Sequence, residues 1–100
     1  MKTIFVYGTL QKGYNNCEAF KLEDNQISKA TLYGWCRDSL IRIHKVKRDD
    51  DYVVGEIQVI SDEIEESIYN FEMACGYHRE MVTPQRIDNG EKIEAIAYIL

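Results

Sequence analysis

The chain has 100 residues, of which 45% are hydrophobic and 29% charged, and its formal net charge at pH 7 is −5. This length allows one domain (residues 1–100) with a modest hydrophobic core, and the composition is typical of a soluble globular protein. The acidic charge disfavours nucleic acid as the main partner, because that binding depends largely on the neutralisation of phosphates.

The apolar run nearest the N-terminus extends only from Ile4 to Tyr7. A secretory signal needs an apolar stretch of about 7–15 residues and a membrane span about 20, so we expect a cytoplasmic protein with no membrane contact. Cys17, Cys36 and Cys75 lie far apart without a CxxC motif, and the two histidines fall at no zinc-ligand spacing. We therefore expect reduced cysteines and no metal site.

The first third of the chain predicts two strands with a short helix between them. Residues 2–7 are apolar on both faces, which is typical of a central strand. A loop at 8–16 and a short helix at 17–24 follow. The next strand, at 29–36, is interrupted by Gly34, which indicates a bulge or a sharp bend.

The middle of the chain predicts two more strands and the main helix. A strand at 40–47 is followed by three aspartates at 49–51, which turn the chain. Alternate residues then line one face of a strand: Val53, Gly55, Ile57 and Val59. The helix begins at a cap formed by Ser61 or Asp62 and ends near 74–76. Its apolar residues at helical spacing are Ile64, Ile68 and Phe71.

Two final strands, at about 77–87 and 91–99, flank Asn89-Gly90, and Asn-Gly is the strongest short hairpin signal. Pro84, the only proline, is expected on an edge strand or at a bulge because it has no N–H to donate. Five or six short strands and one main helix indicate an α+β fold, with a small, bent, barrel-like mixed sheet.

Glu72 is the first candidate for acid–base chemistry. It falls at the border of the apolar stripe, in the last turn of the predicted helix. Burial and the negative end of the helix dipole both disfavour an ionised carboxylate, so we expect its pKa to rise above the ordinary value of ~4.3. A carboxyl group with a raised pKa suits general acid–base catalysis. The structural alternative is a glutamate that reaches water or pairs with Arg79.

The second candidate is the YGTL turn (Tyr7, Gly8, Thr9, Leu10), at which the first strand stops. A strand that ends in Gly-Thr lets several backbone N–H groups point into one concavity, which suits a carboxylate or an oxyanion. A turn that only reverses the chain is the alternative. The spacing from Gly8 to Gly13 is that of a P-loop, but Tyr14 stands where a P-loop requires lysine.

Two other patterns indicate different chemistry. Cys75 and His78 would supply a thiol nucleophile and its base, although sequence neighbours rarely form such pairs in space. Aromatic side chains on a small barrel would stack on nucleic-acid bases, but the acidic charge favours a packing role for them. These aromatic residues are Tyr33, Trp35, Tyr52, Tyr77 and Tyr98.

Five short motifs occur in order along nearly the whole chain. They are the YGTL turn, Gly13-x-x-Asn16, Val53-x-Gly55-Glu56, Glu72 followed by Tyr77-x-Arg79, and Ala95-x-x-Tyr98. Each motif alone is weak, but the set resembles the gamma-glutamylcyclotransferase-like family, which includes gamma-glutamylamine cyclotransferases.

This resemblance implies an enzyme that releases 5-oxoproline and a free amine or amino acid from a small gamma-glutamyl substrate. It implies that Glu72 is the catalytic acid and base. It also implies that the backbone of the YGTL turn (Tyr7, Gly8, Thr9 and Leu10) binds the substrate's α-carboxylate or the developing oxyanion. Because the substrate's own amine is the nucleophile, the reaction requires no metal or cofactor.

The chain also departs from the pattern of the family that it resembles. Asn70 stands where aspartate is usual, Met73 replaces a common glycine, and residues 38–51 lack a proline-containing stretch. These departures favour a catalytically inactive small-molecule or protein-binding module on the same fold, whereas the retained Glu72 and YGTL turn favour the enzyme. A nucleic-acid-binding barrel is a third hypothesis.

Overall fold

Short strands dominate the computed structural model, which describes residues 1–20 and 27–100. The described residues form, in chain order, β1 (Lys2–Val6), α1 (Asn15–Ala19), β2 (Ile27–Tyr33), β3 (Trp35–Ser39), β4 (Arg42–Lys45), β5 (Tyr52–Ile60), α2 (Asp62–Ala74), β6 (His78–Val82), β7 (Gln85–Arg86) and β8 (Ala95–Ile99). The predicted α+β class is confirmed, with more strands than the five or six expected. The predicted helix at 17–24 begins earlier, as α1, and the part beyond Phe20 lies outside the described residues.

Six strands form a mixed sheet in the order β6-β8-β1-β5-β2-β7. β1 pairs with β5 in antiparallel orientation and with β8 in parallel orientation. Its residues Ile4, Phe5 and Val6 are all buried. The prediction that the first strand is a central one is therefore confirmed.

The two edge strands of this sheet, β6 and β7, are neighbours in sequence. Only Thr83 and Pro84 separate them, yet β6 pairs with β8 at one edge and β7 pairs with β2 at the other. Because consecutive Cα atoms are ~3.8 Å apart, the two edges must approach each other at this point. The sheet is therefore curled, as predicted, but it is not a closed barrel. Pro84 breaks the predicted strand at 77–87 into two, because it cannot donate to a ladder.

β3 and β4 form a separate hairpin beside the main sheet. Gly34, with φ +83, lies between β2 and β3, and this left-handed conformation suits glycine alone among common residues. The predicted bend at Gly34 is therefore confirmed. The hairpin turn reaches the YGTL turn, since a Cβ built on Gly8 would lie 3.0 Å from the Leu40 carbonyl oxygen.

β5 is buried on one face as predicted at Val53, Gly55 and Ile57, but Val59 is exposed. The prediction for Val59 is wrong because the buried face changes along the strand. The residues following β1 and helix α2 cover the opposite face there. As a result Glu56, Gln58 and Ile60 are buried.

Helix α2 has the predicted cap and end. The Ser61 Oγ accepts a hydrogen bond from the Ile64 N–H at 3.2 Å, and the helix ends at Ala74. Ile68 is completely buried and packs with apolar residues of β1 and β5, including Ile4, Val6 and Ile60. Phe71 of the predicted stripe is 41% exposed and packs edge-on against Phe20, with ring centres 5.9 Å apart.

Gly55→Ala is expected to lower the free energy of unfolding by about 1–3 kcal/mol, because core overpacking forces the backbone to shift. A Cβ at this position would lie 2.3 Å from the Val6 carbonyl oxygen and 2.8 Å from Phe5 Cζ. Urea unfolding of the variant measures the loss. Gly34→Ala is the control, because its Cβ would meet nothing within 4 Å and the cost is backbone strain of about 1 kcal/mol. A Gly55→Ala loss clearly below about 1 kcal/mol would contradict the proposed clash.

Candidate active site

A cavity of about 300 Å³ lies where β1 ends and helix α2 ends. All of the site residues expected from the sequence line it, namely Tyr7, Gly8, Thr9, Leu10 and Glu72. The YGTL turn and Glu72 are far apart in sequence, and the fold brings them to one concave surface. Further lining residues come from other elements: Phe5, Val6, Asn16, Ile41, Phe71, Cys75, Tyr77, Tyr98 and Leu100.

The YGTL turn is stabilised locally by two hydrogen bonds. The Gln11 N–H donates to the Gly8 carbonyl oxygen at 3.1 Å, which closes the turn. The Asn16 Nδ2 donates to the Thr9 Oγ1 at 2.8 Å, so the Asn of the Gly13-x-x-Asn16 motif holds the side chain of the turn. These contacts fix the backbone whose N–H groups are the candidate donors.

Two buried side chains of β5 also hold the loop that contains this turn. The Lys12 N–H donates to the Glu56 Oε1 at 2.8 Å, and the Gln58 Nε2 donates to the Leu10 carbonyl oxygen at 3.0 Å. Sequence reasoning did not assign either residue to the site. Glu56 belongs to one of the motifs, but only the fold reveals that it faces the loop.

Glu72 lies in the last turn of α2 with its side chain partly buried. Burial raises the pKa of its carboxyl group, which agrees with the expectation from the sequence. Among the residues that the structure describes, no hydrogen bond or ion pair to this carboxylate is found. A raised pKa makes a carboxyl group a better proton acceptor, which suits general acid–base chemistry.

The charge of Glu72 also affects two phenols in the cavity wall. The pKa of Tyr7 is raised by burial first and then by the nearby Tyr77 and Glu72. The pKa of Tyr77 is raised by burial and by the charge of Glu72. Both phenols therefore stay protonated and can donate hydrogen bonds.

Arg79 pairs with a different glutamate, so the part of the structural alternative that paired Glu72 with Arg79 is wrong. The Arg79 guanidinium donates to both carboxylate oxygens of Glu65, at 2.8 Å and 3.0 Å. It also lies over the Tyr69 ring, 3.7 Å from the ring centre. Glu65 is buried and accepts a further hydrogen bond from the Tyr98 hydroxyl.

Two tyrosines that sequence reasoning did not assign to the site connect the cavity wall to its surroundings. The Tyr77 hydroxyl donates to the Ile41 carbonyl oxygen at 2.8 Å, which joins the hairpin turn to the segment between α2 and β6. The Tyr98 carbonyl oxygen accepts a hydrogen bond from the Tyr7 hydroxyl. Both tyrosines belong to motifs in the sequence, but their contacts depend on the tertiary fold.

The rival patterns are not brought together. Cys75 lines the cavity, whereas His78 does not and lies instead 3.8 Å from a Glu80 oxygen. Tyr33 and Tyr52 pack against each other with ring centres 5.9 Å apart and do not line the cavity. The aromatic residues therefore do not form one stacking surface.

Within residues 1–20 and 27–100, no group of three or more His, Cys, Asp or Glu side chains is placed to hold a metal ion. The helices described there are all too short or too polar to cross a membrane.

Comparison with protein families gives one match. Residues 4–100 match the family described as Gamma-glutamyl cyclotransferase, AIG2-like. A search of curated proteins finds no significant match to the chain.

Solved structures with the same fold come from several organisms. An AIG2-like protein from Mus musculus is 18% identical with a TM-score of 0.72, and the match covers 100% of this chain and 77% of that one. YkqA from Bacillus subtilis is 23% identical with a TM-score of 0.78, over 99% of this chain and 35% of that one. A protein named gamma-glutamyl cyclotransferase is 16% identical with a TM-score of 0.69, and the match covers 99% of this chain and 66% of that one. Identities this low establish the fold alone.

Glu72→Gln is expected to leave the thermal midpoint at neutral pH unchanged or slightly higher. Because burial raises the folded-state pKa, the ionised carboxylate weakens the fold, and the amide carries no charge to desolvate. The wild type should gain stability relative to the variant as the pH falls through the folded-state pKa, where Glu72 becomes protonated. Thermal melts of both proteins at neutral and acidic pH test whether the wild type gains stability relative to the variant as the pH falls. Glu66→Gln, at an exposed position of α2, is the control, and a clear loss of stability in Glu72→Gln at neutral pH would contradict the prediction.

Proposed function

Because this chain belongs to the Gamma-glutamyl cyclotransferase, AIG2-like family, we propose that it releases 5-oxoproline and a free amine or amino acid from a gamma-glutamyl substrate. Family membership supports a cyclotransferase-type function in general. The observation that carries the proposal for this chain is the shared cavity, in which Glu72, with its raised pKa, lies with the YGTL turn.

In this proposal the YGTL turn holds the glutamyl part of the substrate. Backbone N–H groups of Tyr7 to Leu10 bind the α-carboxylate or the oxyanion that develops at the γ-carbonyl. The close approach of Gly8 to the Leu40 carbonyl supports this role, since a larger residue would displace the turn. A cavity of about 300 Å³ is at the small end of ligand sites, which suits a compact substrate.

Glu72 moves the proton in the proposed reaction. It takes a proton from the substrate's α-ammonium group, and the free amine attacks the γ-carbonyl carbon to close a five-membered lactam. Glu72 gives its proton to the leaving nitrogen as the bond from that carbon breaks, and it then takes the second proton of the ring nitrogen, which leaves a neutral lactam. It passes this proton to the departing amine, which leaves as an ammonium ion. Intramolecular attack in a fixed geometry can contribute ~7–11 kcal/mol, and a positioned acid and base about 10²–10⁴-fold in rate.

The scheme requires no metal or cofactor, because the nucleophile is part of the substrate and the carboxyl group carries the proton. The tyrosines of the cavity wall shape the site. Their hydroxyls are engaged with backbone carbonyl oxygens, Tyr7 with Tyr98 and Tyr77 with Ile41.

The inactive binding module is the weaker proposal. It is favoured by Asn70, Met73 and residues 38–51, which depart from the pattern of the family. Asn70 and Met73 are exposed and do not line the cavity, whereas Ile41 of the third departure does. The retained Glu72 and YGTL turn, which share one cavity, support the enzyme.

Glu72→Gln is expected to lower turnover by about 10²-fold or more, because the amide keeps the shape of the side chain but takes up no proton at neutral pH. Binding of a gamma-glutamyl compound should be largely kept. The measurement is the formation of 5-oxoproline, followed by mass spectrometry with a panel of gamma-glutamyl amines and amino acids. Glu66→Gln is again the control and should retain the wild-type rate. Turnover by Glu72→Gln at the wild-type rate would overturn the assignment of Glu72.

Gly8→Val is expected to block substrate binding, since a branched Cβ crowds both the turn and the ligand. The effect is best measured in the Glu72→Gln background, where the gamma-glutamyl compound is bound without being consumed. Calorimetric titration then compares Glu72→Gln with the double variant. Gly90→Val, at a turn that does not line the cavity, is the control for a β-branched residue at a glycine. Unchanged affinity in the variant that carries both Gly8→Val and Glu72→Gln would mean that the YGTL turn does not bind the substrate.

A further inference from the structure

Two polar side chains of β5, Glu56 and Gln58, lie in the interior with exposures of 1% and 0%. Placing a carboxylate and an amide in the interior is costly unless their polar atoms are bonded. A small core has little reason to include them for packing alone. Their bonding partners therefore indicate what they do.

The partners of both side chains are in the loop that begins with the YGTL turn. Glu56 accepts from the Lys12 N–H at 2.8 Å. Gln58 donates from Nε2 to the Leu10 carbonyl oxygen at 3.0 Å and to the Glu56 Oε1 at 3.3 Å. The two side chains thus act together on the backbone directly after the turn.

Glu56 lies opposite both ends of this loop. Val6, the last residue of β1, is the register partner of Glu56 in the β1–β5 ladder. Lys12, at the far end of the loop, donates its N–H to the Glu56 carboxylate. The loop therefore begins and ends at the same residue of a central strand, and the YGTL turn lies between these two points.

The charge of Glu56 is balanced by a lysine on the neighbouring strand. Lys29 of β2 is the register partner of Glu56, and its Nζ lies 3.2 Å from Oε2. The Lys29 side chain is 63% exposed, so it contacts the buried carboxylate from the solvent side. This leaves Oε1 for the loop, and an ionised acceptor makes the stronger hydrogen bond to a backbone N–H.

Gln58 provides an independent indication. Its Oε1 is buried and has no hydrogen-bond partner within the described residues, which is a cost to the fold. An apolar side chain of similar length would avoid that cost. An apolar side chain would, however, lose the hydrogen bonds from Nε2 to Leu10 and Glu56. These two hydrogen bonds therefore indicate why a glutamine is present.

We propose that Glu56 and Gln58 are positioning residues that set the backbone of the YGTL turn, so that its N–H groups face the cavity. They act on the substrate only through the main chain of Tyr7 to Leu10. The catalytic consequence rests on the proposed function, whereas the effect on the loop backbone does not.

Gln58→Met is the sharpest test, because it removes the donor to Leu10 together with the unpartnered oxygen. We expect the thermal midpoint to stay close to the wild-type value while the backbone amide resonances of Gly8, Thr9 and Leu10 shift in ¹⁵N-correlated NMR spectra. The value of kcat/KM for 5-oxoproline formation should fall by about 10- to 100-fold, since small misplacements of a binding group are costly.

Two variants of Glu56 extend the test to the second side chain. Glu56→Ala should speed hydrogen exchange at the Lys12 amide, shift the same three resonances and lower kcat/KM. Glu56→Gln keeps a carbonyl oxygen that accepts from the Lys12 N–H, so the exchange rate, the three resonances and kcat/KM should all return most of the way to their wild-type values. Val82→Ala, which removes buried volume from β6 outside the cavity, is the control for a general loss of stability.

The outcomes separate the positioning role from the proposed function. Unchanged resonances of Gly8, Thr9 and Leu10 in both Gln58→Met and Glu56→Ala would overturn the proposal. A loss of kcat/KM in Val82→Ala equal to that in Gln58→Met would also overturn it, since the effect would then be general. If the wild type converts no gamma-glutamyl compound, the proposed function fails, and the resonances of the turn still decide the positioning role.

Discussion

The contact of Ile68 with β1 is the interaction on which the geometry of the site depends. Ile68 is completely buried against Ile4 and Val6, so it fixes the position of α2 over the end of the central strand. Residues four apart lie on the same side of a helix, and Glu72 follows Ile68 by one turn. Burial of one apolar side chain therefore brings the carboxylate to the point where β1 becomes the YGTL turn. Apolar packing and the polar contacts of Glu65 with Arg79 and Tyr98 together assemble the two halves of the cavity.

The two carboxylates on this side of α2, Glu65 and Glu72, have opposite surroundings. Glu65 is bonded to Arg79 and Tyr98, so its charge is stabilised where it is buried. Glu72 meets two phenols and no cation among the described residues, and burial raises its pKa. Because Arg79 is held by Glu65 and by the Tyr69 ring, it does not neutralise Glu72. The first pair anchors the helix to the sheet, and this leaves the second carboxyl group free to exchange a proton.

Local patterns predicted much of the fold, and long-range contacts account for what they missed. The central position of β1, the bend at Gly34 and the Ser61 cap all follow from short stretches of sequence, because each depends on neighbouring residues. The exposure of Val59 and the burial of Gln58 depend on which element covers each end of β5, which periodicity does not reveal. Helix position and turn chemistry made Glu72 and the YGTL turn candidates, and the resemblance to a family supplied the roles expected of them. The roles of Glu65 and Glu56 could not be predicted, since their partners are distant in sequence.

The distribution of buried polar groups ties stability to the site. Four polar or charged side chains are classed as buried among the described residues, namely Thr31, Glu56, Gln58 and Glu65. Three of them bond to segments that form the cavity: Glu56 and Gln58 to the loop after β1, and Glu65 to Tyr98. A domain of this size has little apolar surface with which to offset such burial. Departures from an apolar core are expected where a protein must fix a functional geometry. The concentration of these groups around one cavity is therefore a physical argument, beside the sequence motifs, for choosing this cavity as the candidate site.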